Sequence, residues 1–600
     1  MSIALASVPP LRRPLQPETL PPPPSLAAKL LDDAHVCICR QVTKGTVVAA
    51  IGAGHTTITA LGEKTQAGLG CGSCHATLGE LITCASKSKA TKPNKIEQMK
   101  SEQDGLDVLP EIERFAETGN WEELDENHKQ RFKWHGLFFR KQTPGNFMLR
   151  VRMTNGFSNA EQFRLIADLT DEYGKDFCDI TTRQQLQMRW FRIADVPDIW
   201  KRLAAVGLNS KQTGMDNIRN VCGCPMAGLT PHEFLDAGPI AKQFTQSFLD
   251  NKEFTNLPRK FNVMMTGCLE NCCHCETQDL ALVPSFRDLD GEQIKGFNVL
   301  VGGKQGSGGY TPAQPLDVFV SPADAAPVCN EIVRIFRDHG SRESRTKARL
   351  YFLLADRGVP WFRAELERRL GRELPVVGPE LRKKHHVDHL GIHPQRRSAL
   401  DEGPALYSAG LLVPVGRIST DQMRGVADLA ERYGNGDIRL SVQQNVIVPN
   451  IPEDRVGKFS EEPLLQELPF NPSPVMRGLV ACTGIDYCHM ALIETKDWAI
   501  RVAKELDKRT AGRKVLPLSM HWSGCSAGCG LHQTATIGLQ GCRTRVDGQI
   551  VDAAHVCVNG RSGPKTRVAD DLMYDVPCEK LVDSLESLVQ YLPRDSDTGR

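Results

Sequence analysis

The sequence predicts an α+β protein whose body is a duplicated unit with pseudo-two-fold character. Two observations carry that prediction. Helices and strands alternate without the regular βαβ spacing of a parallel sheet, which implies helices packed on sheet faces. The same order of elements also returns about 260 residues later. A third observation, twenty cysteines gathered into tight clusters, points to metal chemistry.

The repeat is read from four anchors. IADLTDEYG (Ile166–Gly174) returns as VADLAERYG (Val426–Gly434), shifted by 260. TTRQQ ending at Gln185 returns as LSVQQ ending at Gln444, shifted by 259. GCLENC (Gly267–Cys272) returns as GCSAGC (Gly524–Cys529), and Asp290–Gly306 returns as Asp547–Gly563, both shifted by 257. In each copy an amphipathic helix with apolar residues three and four apart runs up to a glycine. A strand follows (LQMRWFRIA; NVIVPNI), then a turn, a second helix and a cysteine-bearing stretch. A repeat of this kind is expected to pack as a pseudo-dimer with a site at its seam.

The chain has 600 residues, enough for three to five domains. With 73 basic and 72 acidic residues the net charge is +1, and 40% of residues are hydrophobic, as in a globular chain. Nothing in that balance points to nucleic acid, and no apolar run reaches the roughly 18 residues of a membrane span. The Pro-rich start (Pro21–Pro24) lacks the apolar core of a signal peptide, so a soluble, cytoplasmic protein is expected. In a reducing compartment, clustered cysteines are ligands more often than disulfides. Lys87–Gly105, rich in lysine and poor in apolar residues, reads as a linker.

In the second copy the pattern is Cys482-x5-Cys488 followed by Cys525-x3-Cys529. Four thiolates in two short loops can surround an iron–sulfur cube, with Gly484, Gly524, Gly528 and Gly530 allowing close backbone approach. Structural zinc is the alternative, although zinc loops favour spacings of two to four. Near the N-terminus, Cys37-x-Cys39 and Cys71-x2-Cys74 form a separate set of four.

CTGIDYCHMALIETK (Cys482–Lys496) and SGCSAGCGLHQTATIGLQG (Ser523–Gly541) resemble the two cluster loops of the sirohaem-containing nitrite and sulfite reductases. RFKWHGLFFRKQTPGNFMLRVRMTNG (Arg131–Gly156), DITTRQQLQMR (Asp179–Arg189), GMDNIRN (Gly214–Asn220) and NLPRKFN (Asn256–Asn262) match that family's first unit in order. The fit is nearest to the ferredoxin-dependent nitrite reductases. The resemblance implies a body of ferredoxin-like half-domains and sirohaem/4Fe–4S domains. It implies a six-electron reduction of nitrite to ammonia, with Cys529 bridging the cube to the sirohaem iron. Sirohaem carries eight carboxylates, for which Arg183, Gln184, Gln443, Gln444 and Asn445 are the candidate cradle. Arg150, Arg219, Lys260 and Asn262 match the substrate pocket, where cations attract the anion and order proton-delivering waters. Sulfite-type members carry a second lysine where this chain has Asn262, which favours the monoanion nitrite over dianionic sulfite. A sulfite reductase of the same fold is the near alternative, and an electron-transfer or redox-sensing protein the distant one.

VCICRQVTKGTVVAAI (Val36–Ile51) with TQAGLGCGSC (Thr65–Cys74) resembles the small helical 2Fe–2S module of bacterioferritin-associated ferredoxin type, in which Cys37, Cys39, Cys71 and Cys74 would hold two irons. The expected organisation is a tail (1–33), this module (34–86), a linker (87–115), a first ferredoxin-like half-domain (116–207), a substrate-pocket domain (208–380), a second half-domain (381–465) and a 4Fe–4S/sirohaem domain (466–600). No G-x-G-x-x-G follows a strand, so electrons are expected from reduced ferredoxin or another external donor protein.

The first copy also keeps Cys222, Cys224, Cys268, Cys272, Cys273 and Cys275. The repeat sets Cys268 and Cys272 on Cys525 and Cys529, and Cys222 on Cys482. These are either a further metal site or buried thiols inherited from the ancestor of both copies. The expected electron path enters through the 2Fe–2S module. Replacing Cys71 and Cys74 by Ser should therefore slow turnover with the protein donor while sparing turnover with a small reduced viologen; equal loss with both would mean a structural role.

Overall fold

The computed structural model describes residues 32–70, 74–88, 94–289, 291–306, 309–384, 386–397 and 403–591. The chain forms two compact units, residues 1–93 and 94–600. Among the described residues, no helix is long and apolar enough to cross a membrane.

In the first unit a short antiparallel pair, His35–Cys37 with Val42–Thr43, precedes helices Lys44–Gly52, Ile58–Thr65 and His75–Ser88. Val47, Ile51, Leu61, Leu78 and Leu81 close a small core together with the buried Cys37 and Cys74. The Cys37 and Cys39 sulfurs are 3.8 Å apart, and Cys71 lies outside the described residues, as does nearly all of the proline-rich tail.

Among the described residues, the second unit carries four five-stranded sheets. In two of them the copies exchange a strand. Phe157–Asn159 of the first copy pairs with Asp437–Leu440 of the second, and Arg417–Ser419 of the second pairs with Phe177–Ile180 of the first. Phe157 and Arg417 are 260 residues apart, so the exchange is reciprocal. Each exchanged strand leads straight into a helix of the repeat, Ala160–Tyr173 or Thr420–Tyr433. Asn159 and Ser419 cap these helices by accepting from the Gln162 and Gln422 N–H groups. The two helices lie against each other: Arg164 reaches Glu431 and Asp428, while Arg424 reaches Asp168 and Asp171. Gly174 and Gly434 end them without a left-handed turn. They are glycine because a Cβ would stand 2.4 Å from the Arg189 carbonyl oxygen and 2.5 Å from that of Pro449. One hydrophobic core, from Phe163 and Ile166 to Val426 and Ile438, spans both copies.

The other two sheets hold one copy each. Ile218–Gly223, Phe261–Met265 and Leu280–Leu289 run parallel in the first, and Leu479–Ala481, Met520–Ser523 and Ile537–Val546 in the second. Glutamines join these sheets to the exchanged ones. Gln184 donates to the Gly223 and Leu440 carbonyls (3.1 and 2.8 Å) and accepts from the Gly223 N–H at 3.0 Å. Gln444 does the same with Ala481 and Ile180. Gln184 therefore matches Gln444 at an offset of 260, which corrects the 259 read from the QQ pairs. Gly223 matches Ala481 on the same grounds, so Cys224, not Cys222, stands where the second copy has Cys482.

The linker reading is corrected from residue 94 onward. Lys95–Glu102 is a helix whose Met99 packs with Trp134 and Met215. Lys100 is buried between Asp216, at 3.3 Å, and the Leu257 carbonyl, at 2.8 Å. Composition makes a lysine-rich stretch look solvated, and only the distant Asp216 makes this lysine internal. Leu109–Thr118 likewise buries Ile112 and Phe115 in the main core.

Gln184→Ala would leave the Gly223 N–H and two carbonyls buried without partners. At about 1–3 kcal/mol per unpaired group, thermal unfolding of the second unit should begin several degrees lower; an unchanged transition would show that the glutamine bridge is not what joins the sheets.

Candidate functional site

Where the sheets meet, a cavity of about 310 Å³ opens among loops from both copies. Arg150 reaches it from strand Phe147–Val151, and Arg219 from strand Ile218–Gly223. Lys260 and Asn262 stand two residues apart around the start of Phe261–Met265, so the pleat sends both the same way. Cys482 follows the end of Leu479–Ala481, and Cys525 and Cys529 follow Met520–Ser523; these three and Cys488 line one side. Gly484 (φ +74°) and Gly528 (φ +68°) supply left-handed turns in these loops. The Gly524 N–H donates to the Cys482 sulfur at 3.2 Å. Cys529 is the exposed member of the four.

Seven cationic side chains line the cavity: Arg140, Arg150, Arg183, Arg189, Arg219, Lys260 and Lys496. Among the described residues they face one carboxylate, Asp179, already held by Arg189 at 2.7 Å, Arg417 at 3.3 Å and Lys496 at 3.4 Å. Burial alone would raise the Asp179 carboxyl, but Lys496, Arg189 and Arg417 outweigh it and hold it well below the usual range. The other cations have mainly neutral partners. Arg150 and Arg219 both donate to the Thr213 carbonyl (3.0 and 2.9 Å), and Arg219 also to that of Met215. Arg183 donates to Gln278 and to the Asn220 carbonyl. Burial pushes Lys260 down to about 7, with Arg349 and Arg219 adding repulsion. Burial likewise pushes Arg150 down to about 9, helped by Arg140 and Arg189. The Nε groups of Arg140, Arg183 and Arg219, the Asn262 Oδ1 and both amide atoms of Gln305 are buried with no partner in the protein. Orphaned donors around unneutralised charge are what a polyanionic ligand would complete. Four cysteines line one wall, and although burial pushes Cys482 up to about 11, the backbone N–H given to its sulfur favours the thiolate that an iron–sulfur cluster binds.

The structure thus brings Arg150, Arg219, Lys260, Asn262, Arg183, Gln444 and the four cysteines around one space. The cradle expectation is corrected for three residues. Gln184 is spent on the sheet bridge described above. Gln443 donates to the Cys272 carbonyl, and Asn445 accepts from the Val413 N–H. None of the three lines the cavity, because each sits in a tight turn where its amide replaces missing backbone partners. Gln444 reaches the cavity wall, but its amide is committed to the same bridging task. Arg140, Arg189 and Lys496 are site residues that sequence reading did not single out, although each stands inside a quoted motif.

Comparison with known proteins agrees with this geometry. The nitrite and sulphite reductase 4Fe–4S domain matches residues 214–374, and the nitrite/sulfite reductase ferredoxin-like half domain matches 139–206 and 400–465. The BFD-like [2Fe–2S] binding domain matches residues 35–83. A ferredoxin–nitrite reductase of Synechococcus elongatus is 41% identical over 506 residues, 83% of this chain and 96% of its own length. A chloroplastic ferredoxin–nitrite reductase of Zea mays is 43% identical over 472 residues, 76% of this chain and 81% of its own. The solved structure of the Mycobacterium tuberculosis NirA protein superposes with a TM-score of 0.77 at 27% identity, over 86% of this chain and 96% of that one. Motifs of the first unit and the exchanged half-domains coincide with these matches, and relatives about 40% identical cover most of the chain: the chain belongs to the nitrite and sulphite reductase family.

Proposed function

We propose that the protein is an assimilatory nitrite reductase, reducing nitrite to ammonia with electrons from reduced ferredoxin or another external donor protein, in the cytoplasm. The observation that carries this reading is the cavity where four cysteines meet seven cations and one already-paired carboxylate. The residues fit both implied groups. Cys482, Cys488, Cys525 and Cys529 would hold a 4Fe–4S cluster, the exposed Cys529 being the one placed to be shared. Arg140, Arg183 and Arg189 would hold carboxylates of a sirohaem. Bound there, sirohaem would supply the iron at which nitrite is reduced.

The chain's own part is electrostatic. Arg150, Arg219 and Lys260 draw the anion in and offset charge that builds on its oxygens. Thr213 fixes two of these guanidinium groups through one carbonyl, so they are set in place before the anion arrives. Burial, with Arg349 and Arg219 beside it, lowers Lys260 toward the neutral range and makes it the easiest of the three to deprotonate; as an ammonium it can attract nitrite and pass on a proton, and as a neutral amine it does neither. Asn262 gives a neutral amide whose oxygen has no partner and whose backbone N–H is tied to Asp279 at 2.8 Å. A neutral group at this point suits a monoanion.

With a reduced viologen as donor, kcat/KM should be far higher for nitrite to ammonia than for sulfite to sulfide, and Asn262→Lys should narrow the gap by raising the sulfite value. A higher value for sulfite in the unaltered enzyme would overturn the assignment. The KM for nitrite should also rise as pH increases through the neutral range. Lys260→Arg should move that rise to higher pH, and Lys260→Met should abolish it while raising KM by about tenfold, about 1.4 kcal/mol of lost attraction. A flat profile in the unaltered enzyme would remove Lys260 from this role.

A further inference from the structure

Away from the cavity, a second group of ligating side chains is fully enclosed. Cys224, Cys268 and Cys272 are each 1% exposed, and their sulfurs all lie within 4.8 Å of one another. The topology brings them together. Cys224 follows strand Ile218–Gly223, and Cys268 and Cys272 follow its parallel neighbour Phe261–Met265. Arg219 and Lys260 stand at the beginnings of these same strands, and five residues of strand span roughly 16 Å. None of the three cysteines lines the cavity.

Through the repeat they are the counterparts of Cys482, Cys525 and Cys529. Cys488 has no such counterpart among the three, but a histidine approaches one of them. The His389 Nε2 is 3.7 Å from the Cys224 sulfur. His389 comes from the segment joining the two copies and is held at φ +64°. Its neighbours fix it there: Asp388 takes both a 2.6 Å and a 2.8 Å bond from Arg477, which also donates to the Leu390 carbonyl at 2.6 Å. A Cβ on Gly410 would lie 1.9 Å from the His389 carbonyl oxygen, so the strand beside it is packed hard against this backbone.

The spacing decides what such a group can hold. Metal–sulfur bonds of about 2.3 Å and metal–nitrogen bonds of about 2.0 Å in a tetrahedron put ligand atoms roughly 3.6–3.8 Å apart. A four-iron cube holds its sulfurs at separate corners, further from one another. Consistent with this, among the described residues no three of Cys482, Cys488, Cys525 and Cys529 have sulfurs mutually within 4.8 Å. We propose that Cys224, Cys268 and Cys272 hold a single divalent ion of the zinc type, and that His389, whose Nε2 is near the Cys224 sulfur but not within 4.8 Å of all three sulfurs, turns in to complete the tetrahedron and close the site. Two donors are ready for its thiolates: the Glu270 N–H is 3.4 Å from the Cys268 sulfur, and the Cys273 thiol is 3.6 Å from that of Cys272. With three thiolates and an imidazole there is no open position for substrate, so the ion would fasten rather than react. Val442 and Ile447 of the second copy pack on the same cluster, so what it fastens is the first copy to the segment and sheet that follow.

Metal analysis of the full chain, produced with sirohaem synthesis intact in zinc-replete medium, tests the site. The expected content is one zinc beside seven irons, two for the small module, four for the cube and one for sirohaem. Cys224→Ser and His389→Ala should each cut zinc retention against a fixed chelator by about tenfold or more, leaving the haem and cluster absorbance unchanged. About eleven irons, or no zinc, would overturn the proposal. So would zinc that persists in Cys224→Ser and leaves with Cys542→Ala, which would place the ion at the partly exposed group Cys542, His555 and Asp575. Should the variants fail to fold, cobalt grown into the unaltered protein decides: thiolate-to-cobalt bands of a tetrahedral site support the proposal, and their absence overturns it.

Discussion

Buried positive charge without enough negative charge is the constraint around which the second unit is arranged. Seven cationic groups line one cavity, and the single carboxylate among them is already claimed three times over. A cluster of this kind is costly to enclose unless a partner completes it, and its cost falls on the apoprotein rather than on the loaded one. The walls are built to hold the groups apart and still. Carbonyls of Thr213, Met215 and Asn220 take one or two N–H groups each of Arg150, Arg219 and Arg183. The remaining donors are left for whatever enters. Sirohaem with its carboxylates, and then nitrite, are the anions that this arrangement suits.

The duplicated architecture explains how one cavity collects groups from positions almost 400 residues apart, from Arg140 to Leu531. Each copy supplies the same scaffold, strand, helix and parallel sheet, and the glutamines at 184 and 444 lock the copies across the seam with identical bonds. Having two of everything left each copy free to specialise. The first supplies six of the seven cations, and the second supplies Lys496 and the four cysteines in the loops after its strands.

Much of this was legible in the sequence. Helices Ala160–Tyr173 and Thr420–Tyr433 fall where the amphipathic pattern and the final glycine put them, and the α+β class with an internal repeat holds. The four cysteines and Arg150, Arg219, Lys260 and Asn262, which all line the cavity, were legible as a group because short motifs surround them. What the sequence did not disclose depends on partners far along the chain. Lys100 looks like a solvated lysine until Asp216 is beside it. Gln184 and Gln443 look like binding residues because a buried amide and a ligand-binding amide read alike; only the positions of the carbonyls they serve tell them apart. The match of Cys224 with Cys482 was hidden by a two-residue difference in loop length, which no counting along the chain corrects without the strand register.

The exchanged strands also set the order of events during synthesis. Phe177–Ile180 receives its edge partner from Arg417–Ser419, so the first sheet stays incomplete until some 240 further residues have left the ribosome. At about 5–20 residues per second that is a wait on the order of 10–50 seconds. Through this interval a half-built sheet with an open edge stands exposed to its neighbours on the polysome. A nascent chain of this design depends on timely chaperone cover more than its finished, well-packed form would suggest.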